Sequence, residues 1–518
     1  RLYLYLNMTK PSERLYLSYA KVGNDGKSKR PAYLIDTMRK LFPELAVRNP
    51  ELLPMEEQLS NGADGILFFT ELLREYAAGR LNEAERRKLY TFFHSYYENP
   101  DWREQTMRLI NTAFYHYEES PLSRQVTKAL YGTVLHNSVS RLEKYAACAY
   151  AHFLQYGLAL RERGEYGFED VDMGNVFHGV LELFAEKLAE HHYTWFDFPQ
   201  EAGENMLDEA MEAYAAGYGE TILYSSARNQ YLLKRIRRIL GRTVRTLQMQ
   251  LQKGSFLPEH FEMSFSMLED LDAVNIALTG EEKMKLRGRI DRIDTCEEDD
   301  VVYVKVIDYK SGSRKFDLAA LYYGLQLQLV VYMNAAVEIE QKKHPGKKVV
   351  PAAMLYYHIA DPMIEDGQTL TPEQLNQKIL QELKTTGIVN GDDRAVRLLD
   401  KEFTGKSDIL PIERKKDGSY SAYSSVINEE EMTTISNYVN HKIRELGTEI
   451  LQGNISVNPC EQNGNSSCTY CAYRSICGYD TEIGGFKMRK LEALPPDEAV
   501  LRMAEANGKN DTNHGGQR

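Results

Sequence analysis

The sequence predicts an α/β fold: a mixed β-sheet flanked by helices, preceded by a short basic piece and a helical connector. Three observations carry this. Two runs between residues 286 and 310, the second of them rich in β-branched residues, are separated by an acidic turn, as in adjacent strands. Upstream, apolar residues recur at spacings of three and four, as on one face of a helix. At 518 residues the chain also exceeds one core, since single cores seldom grow past about 250–300 residues, so several domains are expected.

Composition narrows the classes. Lys and Arg number 63 against 75 Asp and Glu, a net charge of −12, which by itself argues against a simple nucleic-acid coat. That charge is uneven, because residues 1–50 hold ten basic and four acidic side chains. No apolar run approaches the roughly 20 residues that cross a bilayer, and no signal peptide opens the chain. Six cysteines are too few for a disulfide scaffold. The chain opens at Arg1, in mid-pattern, so it is expected to be a piece of a longer protein.

Taken in order, residues 1–50 form the first piece. Arg14–Tyr19 alternates like a strand and runs into a Gly/Asn/Asp/Lys turn. Gly26-Lys27-Ser28 ends like a phosphate-binding loop, but position 21, where that motif needs glycine, is Lys21. A basic hairpin is expected instead, with no ATP site. Residues 51–137 read as a helical connector. From 138 to 480 the pattern is mixed, and 481–518 reads as a tail that is disordered in its polar, Gly-rich end.

Within 138–480, Phe177, Leu181, Phe184 and Leu188 form a helical stripe beside His178; such a lone histidine reads as structural or as a ligand. A second helix carries Leu233, Ile236, Leu240, Val244, Leu247 and Leu251. Its other faces hold Lys234, Arg235, Arg237, Arg238, Arg242 and Arg245, which read equally as a phosphate-following surface or a solvated face. Leu286–Asp291 reads as a strand ending in a carboxylate, and Val301–Lys310 as a buried strand closed by Ser311-Gly312. Asp308 and Lys310 project to one side, and Asp291 on a neighbouring strand completes two carboxylates and an ammonium. That trio suits metal-assisted phosphodiester hydrolysis with Mg²⁺; a salt-bridged strand end is the plainer reading. Leu321–Ala336 reads as a helix with Gln328 and Tyr332 on one face, bracing the carboxylates or merely packing.

Cys468-Thr-Tyr-Cys471 and Cys477 fall within ten residues and suit a soft-ligand site, with a fourth ligand to come from Cys148, Cys296 or Cys460. Spacing leaves zinc, an iron–sulfur cluster and disulfide pairing open.

In this order the motifs resemble the RecB-type branch of the PD-(D/E)XK nuclease superfamily, and more narrowly the C-terminal part of the AddB family of bacterial helicase/deoxyribonucleases. The series is Ser138-x-Ser-Arg-Leu-Glu143 with Cys148, Gly174-x-x-x-His178, Gly288-Arg-Ile-Asp291, Asp308-Tyr-Lys310, Gln328-x-x-x-Tyr332 and the three late cysteines. The resemblance implies a restriction-endonuclease-like nuclease domain over 138–480, with Asp291, Asp308 and Lys310 catalytic and His178, Asp291 and Asp308 on Mg²⁺. It implies that Gln328 and Tyr332 serve the same centre, and that Cys148, Cys468, Cys471 and Cys477 hold a 4Fe-4S cluster. Cys296 and Cys460 match no ligand position. Ala149 departs from the family's usual proline. Residues 3–19 resemble the last motif of superfamily-1 helicases, with Lys10 where arginine is usual; lysine lacks the bidentate fork. The implied function is a cytoplasmic, Mg²⁺-dependent DNA exonuclease/endonuclease, working as heterodimer with an AddA-type helicase–nuclease subunit to resect double-strand ends, and cutting the 5′-terminated strand. The alternatives are a non-catalytic iron–sulfur scaffold that grips DNA and a short freestanding nuclease with similar cysteines.

Overall fold

The computed structural model describes residues 2–23, 27–49, 53, 59, 62–163, 167–168, 170–218, 223–265, 271–280, 282–312, 315–364 and 370–514. The chain divides into two compact units, Arg1–Tyr115 and His116–Arg518.

The first unit is helical: α1 (Leu2–Thr9), α2 (Tyr33–Leu41), α3 (Gly62–Ala77), α4 (Glu83–Glu98) and α5 (Pro100–Ala113). Its core is small, with Phe69, Leu73, Leu89 and Tyr96 packed against Trp102. Asn82 and Glu85 close a capping box at the start of α4, satisfying two of its free N–H groups. The strand expected at Arg14–Tyr19 is not formed: the segment is exposed coil, because no neighbouring strand takes up its backbone groups. The basic turn is a hairpin-like bridge of Val22 with Ser28; Gly26 lies outside the described residues.

The second unit starts with α6 (Arg124–Tyr131), β1 (Val134–Ser138) and α7 (Val139–Ala147). Ser138 caps α7, its hydroxyl accepting from Arg141 N–H. Three long helices follow: α8 (Asp170–Glu190), α9 (Gln200–Gly217) and α10 (Ala227–Lys253). Next come β2 (Leu257–Ser264), β3 (Asn275–Ala277), β4 (Lys283–Arg287), β5 (Arg289–Glu298) and β6 (Val301–Lys310). The strand expected at Leu286–Asp291 is therefore two strands broken at Gly288, and Asp291 opens β5 rather than ending a strand. Gly288 lies beside Phe265 and the Tyr332 hydroxyl, which a Cβ there would meet at ordinary contact distance.

Then come α11 (Leu318–Tyr322), α12 (Gln328–Lys343), β7 (Lys348–His358), α13 (Pro372–Glu382), β8 (Thr386–Asn390), α14 (Asp393–Leu399), β9 (Val426–Ile427) and α15 (Glu429–Leu451). The single helix expected over 321–336 is also two. Gly324 takes φ 79°, a left-handed turn that glycine adopts without strain, and it lets α12 restart at Gln328. The chain closes with β10 (Cys460–Gln462), β11 (Asn465–Ser466), β12 (Arg489–Leu491) and α16 (Pro496–His514). Where composition predicts disorder beyond residue 504, α16 continues to His514 from a first half whose Ala499, Val500 and Met503 share a helix face and enter the core; residues 515–518 of that stretch lie outside the described residues.

The main sheet is six-stranded and mixed, in the order β2-β5-β6-β7-β8-β9. β2, β5 and β6 pair antiparallel, while β6 and β7 run parallel. Each face carries its own core. Val302, Val304 and Val306 face α12 and α15, whereas Tyr303, Ile307 and Tyr309 face α8 and α10. Among the described residues no helix is long and apolar enough to cross a membrane.

Candidate active site

The site lies where β5 and β6 meet the first turn of α12. Arg292 pairs with Ile307, so Asp291 and Asp308 are neighbours at the end of the ladder. Tyr309 N–H donates to Asp291 Oδ2 at 2.7 Å, and Lys310 Nζ lies 2.6 Å from Asp308 Oδ2. Lys310 Nζ also donates to Gln328 Oε1 at 2.9 Å, and Gln328 Nε2 donates to the Tyr332 hydroxyl at 2.8 Å. Gln328 and Tyr332 thus hold the lysine, and the α12 N-terminus is held in turn. Glu143 Oε1, the last residue of the Ser138–Glu143 motif, accepts from Leu327 N–H at 2.7 Å and Gln328 N–H at 3.3 Å.

His178 arrives from α8, whose stripe Phe177, Leu181, Phe184 and Leu188 is buried against the sheet. Its Nδ1 lies 2.9 Å from Glu262 Oε1 and 3.5 Å from Asp291 Oδ1. Glu262 has no counterpart among the residues that the sequence singles out. It sits in β2 with φ 48°, a left-handed backbone that costs a non-glycine residue on the order of 1–3 kcal/mol, and Arg289 Nη1 donates to its other oxygen at 3.1 Å. Nothing in the sequence separates Glu262 from Glu259; only the backbone turn does.

Electrostatics make the cluster a cation trap. Burial pushes the Asp291 carboxyl well above its usual range and the Asp308 charge adds to this, while His178 opposes it. Asp308 is raised by burial, with Lys310 opposing. Burial alone would make His178 harder to protonate, but Glu262, Asp291 and Asp308 overcome it and raise its pKa to about 9. The ligand atoms of His178, Glu262 and Asp291 fall within 4.8 Å of one another. Buried carboxylates crowded around one imidazole are the donor set a divalent ion relieves, so the residues fit a metal.

The cysteines converge from both ends of the second unit. Cys148, Cys468, Cys471 and Cys477 line one small recess with Tyr150 and Tyr473. Burial raises the Cys148 and Cys468 thiols, so a bound cation is what would hold them as thiolates. Cys460 is buried beside this recess but does not line it, and Cys296 belongs to the core on the α8 face of the sheet.

The basic face of α10 is not an open track. Arg237 pairs with Asp208, Arg238 and Arg242 with Asp361, and Arg245 with Glu204. Four of its six cations are engaged by carboxylates of the same unit, which favours the reading of this helix as a solvated, ion-paired face.

Residues 136–478 match the sequence pattern of the PD-(D/E)XK nuclease superfamily. The chain is also similar to proteins described as the B subunits of ATP-dependent helicase/deoxyribonucleases. That of Lachnoclostridium phytofermentans is 38% identical over 99% of this chain and 44% of its own length. That of Alkaliphilus metalliredigens is 32% identical over 98% and 44%, and that of Clostridium tetani 34% over 97% and 44%. The chain thus spans less than half the length of these relatives.

Proposed function

The chain belongs to the PD-(D/E)XK nuclease superfamily, and from that membership we propose that it hydrolyses DNA phosphodiesters at Asp291, Asp308 and Lys310. On this reading it is the nuclease-bearing part of an AddB-type helicase/deoxyribonuclease chain. It pairs with a helicase–nuclease partner in the cytoplasm and trims the 5′-terminated strand at double-strand ends. The observation that carries the reading is the buried Asp291–Asp308–Lys310 cluster inside the matched range. A scaffold that only grips DNA has no use for two crowded, burial-raised carboxylates.

His178, Glu262, Asp291 and Asp308 are the residues that would hold Mg²⁺. Once bound, the ion supplies positive charge to the phosphoryl oxygens and acidifies water. Lys310, fixed between Asp308 and Gln328, orients the attacking water and offsets charge gathering on phosphorus. Ser311 and Gly312, directly after Lys310, open onto a groove that also contains Lys315, His358, Lys384 and Lys406, a path for a single strand. The test is cleavage of end-labelled single-stranded DNA by the full chain. We expect products with Mg²⁺ and none with EDTA; equal cutting in both would end the reading.

His178 sets a pH dependence. Its pKa of about 9 means that the metal-free site keeps the imidazole protonated at neutral pH, and ligation must displace that proton. Metal affinity therefore rises with pH up to about 9, by as much as about tenfold per unit for one displaced proton. Calorimetric Mn²⁺ titrations at pH 6.5, 7.5 and 8.5 check the slope, and His178→Gln should flatten it.

The same cysteine recess is read as a 4Fe-4S site. A closed zinc tetrahedron places sulfurs about 3.8 Å apart, given Zn–S bonds of about 2.3 Å. Among the described residues, no group of three metal-binding side chains within 4.8 Å includes a cysteine.

A further inference from the structure

A second group of metal-ligating side chains lies at the far end of α12, twelve residues and about 18 Å along the helix from Gln328. Ligand atoms of Glu259, His260 and Glu340 fall within 4.8 Å of one another. Glu259 and His260 come from β2, the edge strand of the main sheet. Glu340 comes from the last turn of α12.

Glu340 is the telling residue. It is 0% exposed, and neither carboxylate oxygen has a hydrogen-bond partner among the described residues. His344 Nε2 stands 3.4 Å from its Oε2, without the alignment of a hydrogen bond, and 3.5 Å from Glu297 Oε1. A buried carboxylate without a hydrogen bond is costly, and an ion is one of the few things that repays it. Burial keeps the Glu340 carboxyl from ionising easily, and the Glu297 charge adds to this. Thr295 Oγ1 orients Glu259 by donating to its Oε2 at 2.9 Å, though Lys343 competes for the other oxygen.

We propose that a zinc-class dication binds here, held by His260, Glu340 and Glu259, and ties the edge strand β2 to α12. Imidazole with carboxylate selects a borderline transition metal over Mg²⁺ or Ca²⁺. The site is separate from the nuclease centre, but β2 also carries Glu262, so the tie steadies that residue from two positions away. The plainer account is a Glu340 that simply keeps its proton.

The two accounts separate on metal content. The purified full chain is equilibrated with ZnCl₂, desalted, and its zinc counted by elemental mass spectrometry beside Glu340→Gln and His260→Ala. Zinc at the nuclease centre is common to all three proteins, and cluster iron is counted as iron. We expect each variant to hold one zinc fewer, to bind it at least about 100-fold more weakly, and to lose the zinc-dependent rise in thermal midpoint that the parent shows. Equal zinc in parent and variants overturns the proposal. So does a Glu340→Gln protein that is more stable than the parent whether or not zinc is present, since that is what a protonated carboxyl predicts. Should Glu340→Gln fail to fold, His260→Ala, on the half-buried edge strand, decides alone.

Discussion

Asp308→Asn is expected to reduce Mg²⁺-dependent cleavage of single-stranded DNA by about 10³-fold or more while leaving the thermal midpoint unchanged or raised. The two effects have one source. Asp291 and Asp308 are buried side by side; burial raises both carboxyls, and the Asp308 charge adds to the rise at Asp291. An amide at 308 removes that charge, which relieves the metal-free fold and takes away a metal ligand at once. Lys310→Ala should cost activity on the same scale but move stability the other way. It strips Asp308 of the ammonium 2.6 Å away and leaves Gln328 Oε1 without its donor. Added Mg²⁺ should restore part of the Lys310→Ala midpoint, because the ion replaces the lost charge. The checks are initial rates on labelled DNA and melting curves with and without Mg²⁺. Near-parental cleavage in either variant would sink the assignment of this centre.

Much of this centre was legible in the sequence because strand geometry is simple. β6 runs from Val301 to Lys310 as expected, and period two alone places Asp308 and Lys310 on one face. What strand periodicity could not reveal is where strands and helices break. Gly288 and Gly324 each interrupt an element that reads as continuous, and both breaks matter, since they set Asp291 at the head of β5 and Gln328 at the head of α12. Glu262 was illegible for a different reason: its role depends on one positive φ, which no residue pattern encodes. Charge along α10 left two readings open because pairing is a tertiary property; Asp208, Glu204 and Asp361 come from distant segments. The Ser138–Glu143 motif is a case between these. Its residues were recognisable, but that Glu143 caps the α12 N-terminus emerges only when the two helices meet.

The largest expected effect on stability comes from Cys148→Ser. Cys148 and Cys468 stand some 320 residues apart, and a metal group joining them closes a loop worth about 5 kcal/mol in denatured-chain entropy. The substitution is therefore expected to abolish the broad absorbance near 400 nm and to lower the thermal midpoint steeply. It should not unfold the main sheet. Polypeptide contacts span the same seam without help from the cysteines: Tyr150 N–H donates to Ser456 O at 3.0 Å, Ala149 N–H to Asn458 Oδ1 at 2.8 Å, and Arg489 Nη2 to Ala146 O at 2.6 Å. What loses its tether is the segment from Cys468 to Cys477, whose Tyr470 is already 98% exposed. Limited proteolysis should then nick that segment first, with the Val301–Lys310 core intact. Cys460→Ser and Cys296→Ser serve as controls, because neither thiol lines the recess, and both should keep iron and absorbance. Loss of iron in Cys460→Ser with retention in Cys148→Ser would reassign the fourth ligand. Stoichiometric zinc without absorbance in the parent, purified without air, would replace the cluster by a single ion.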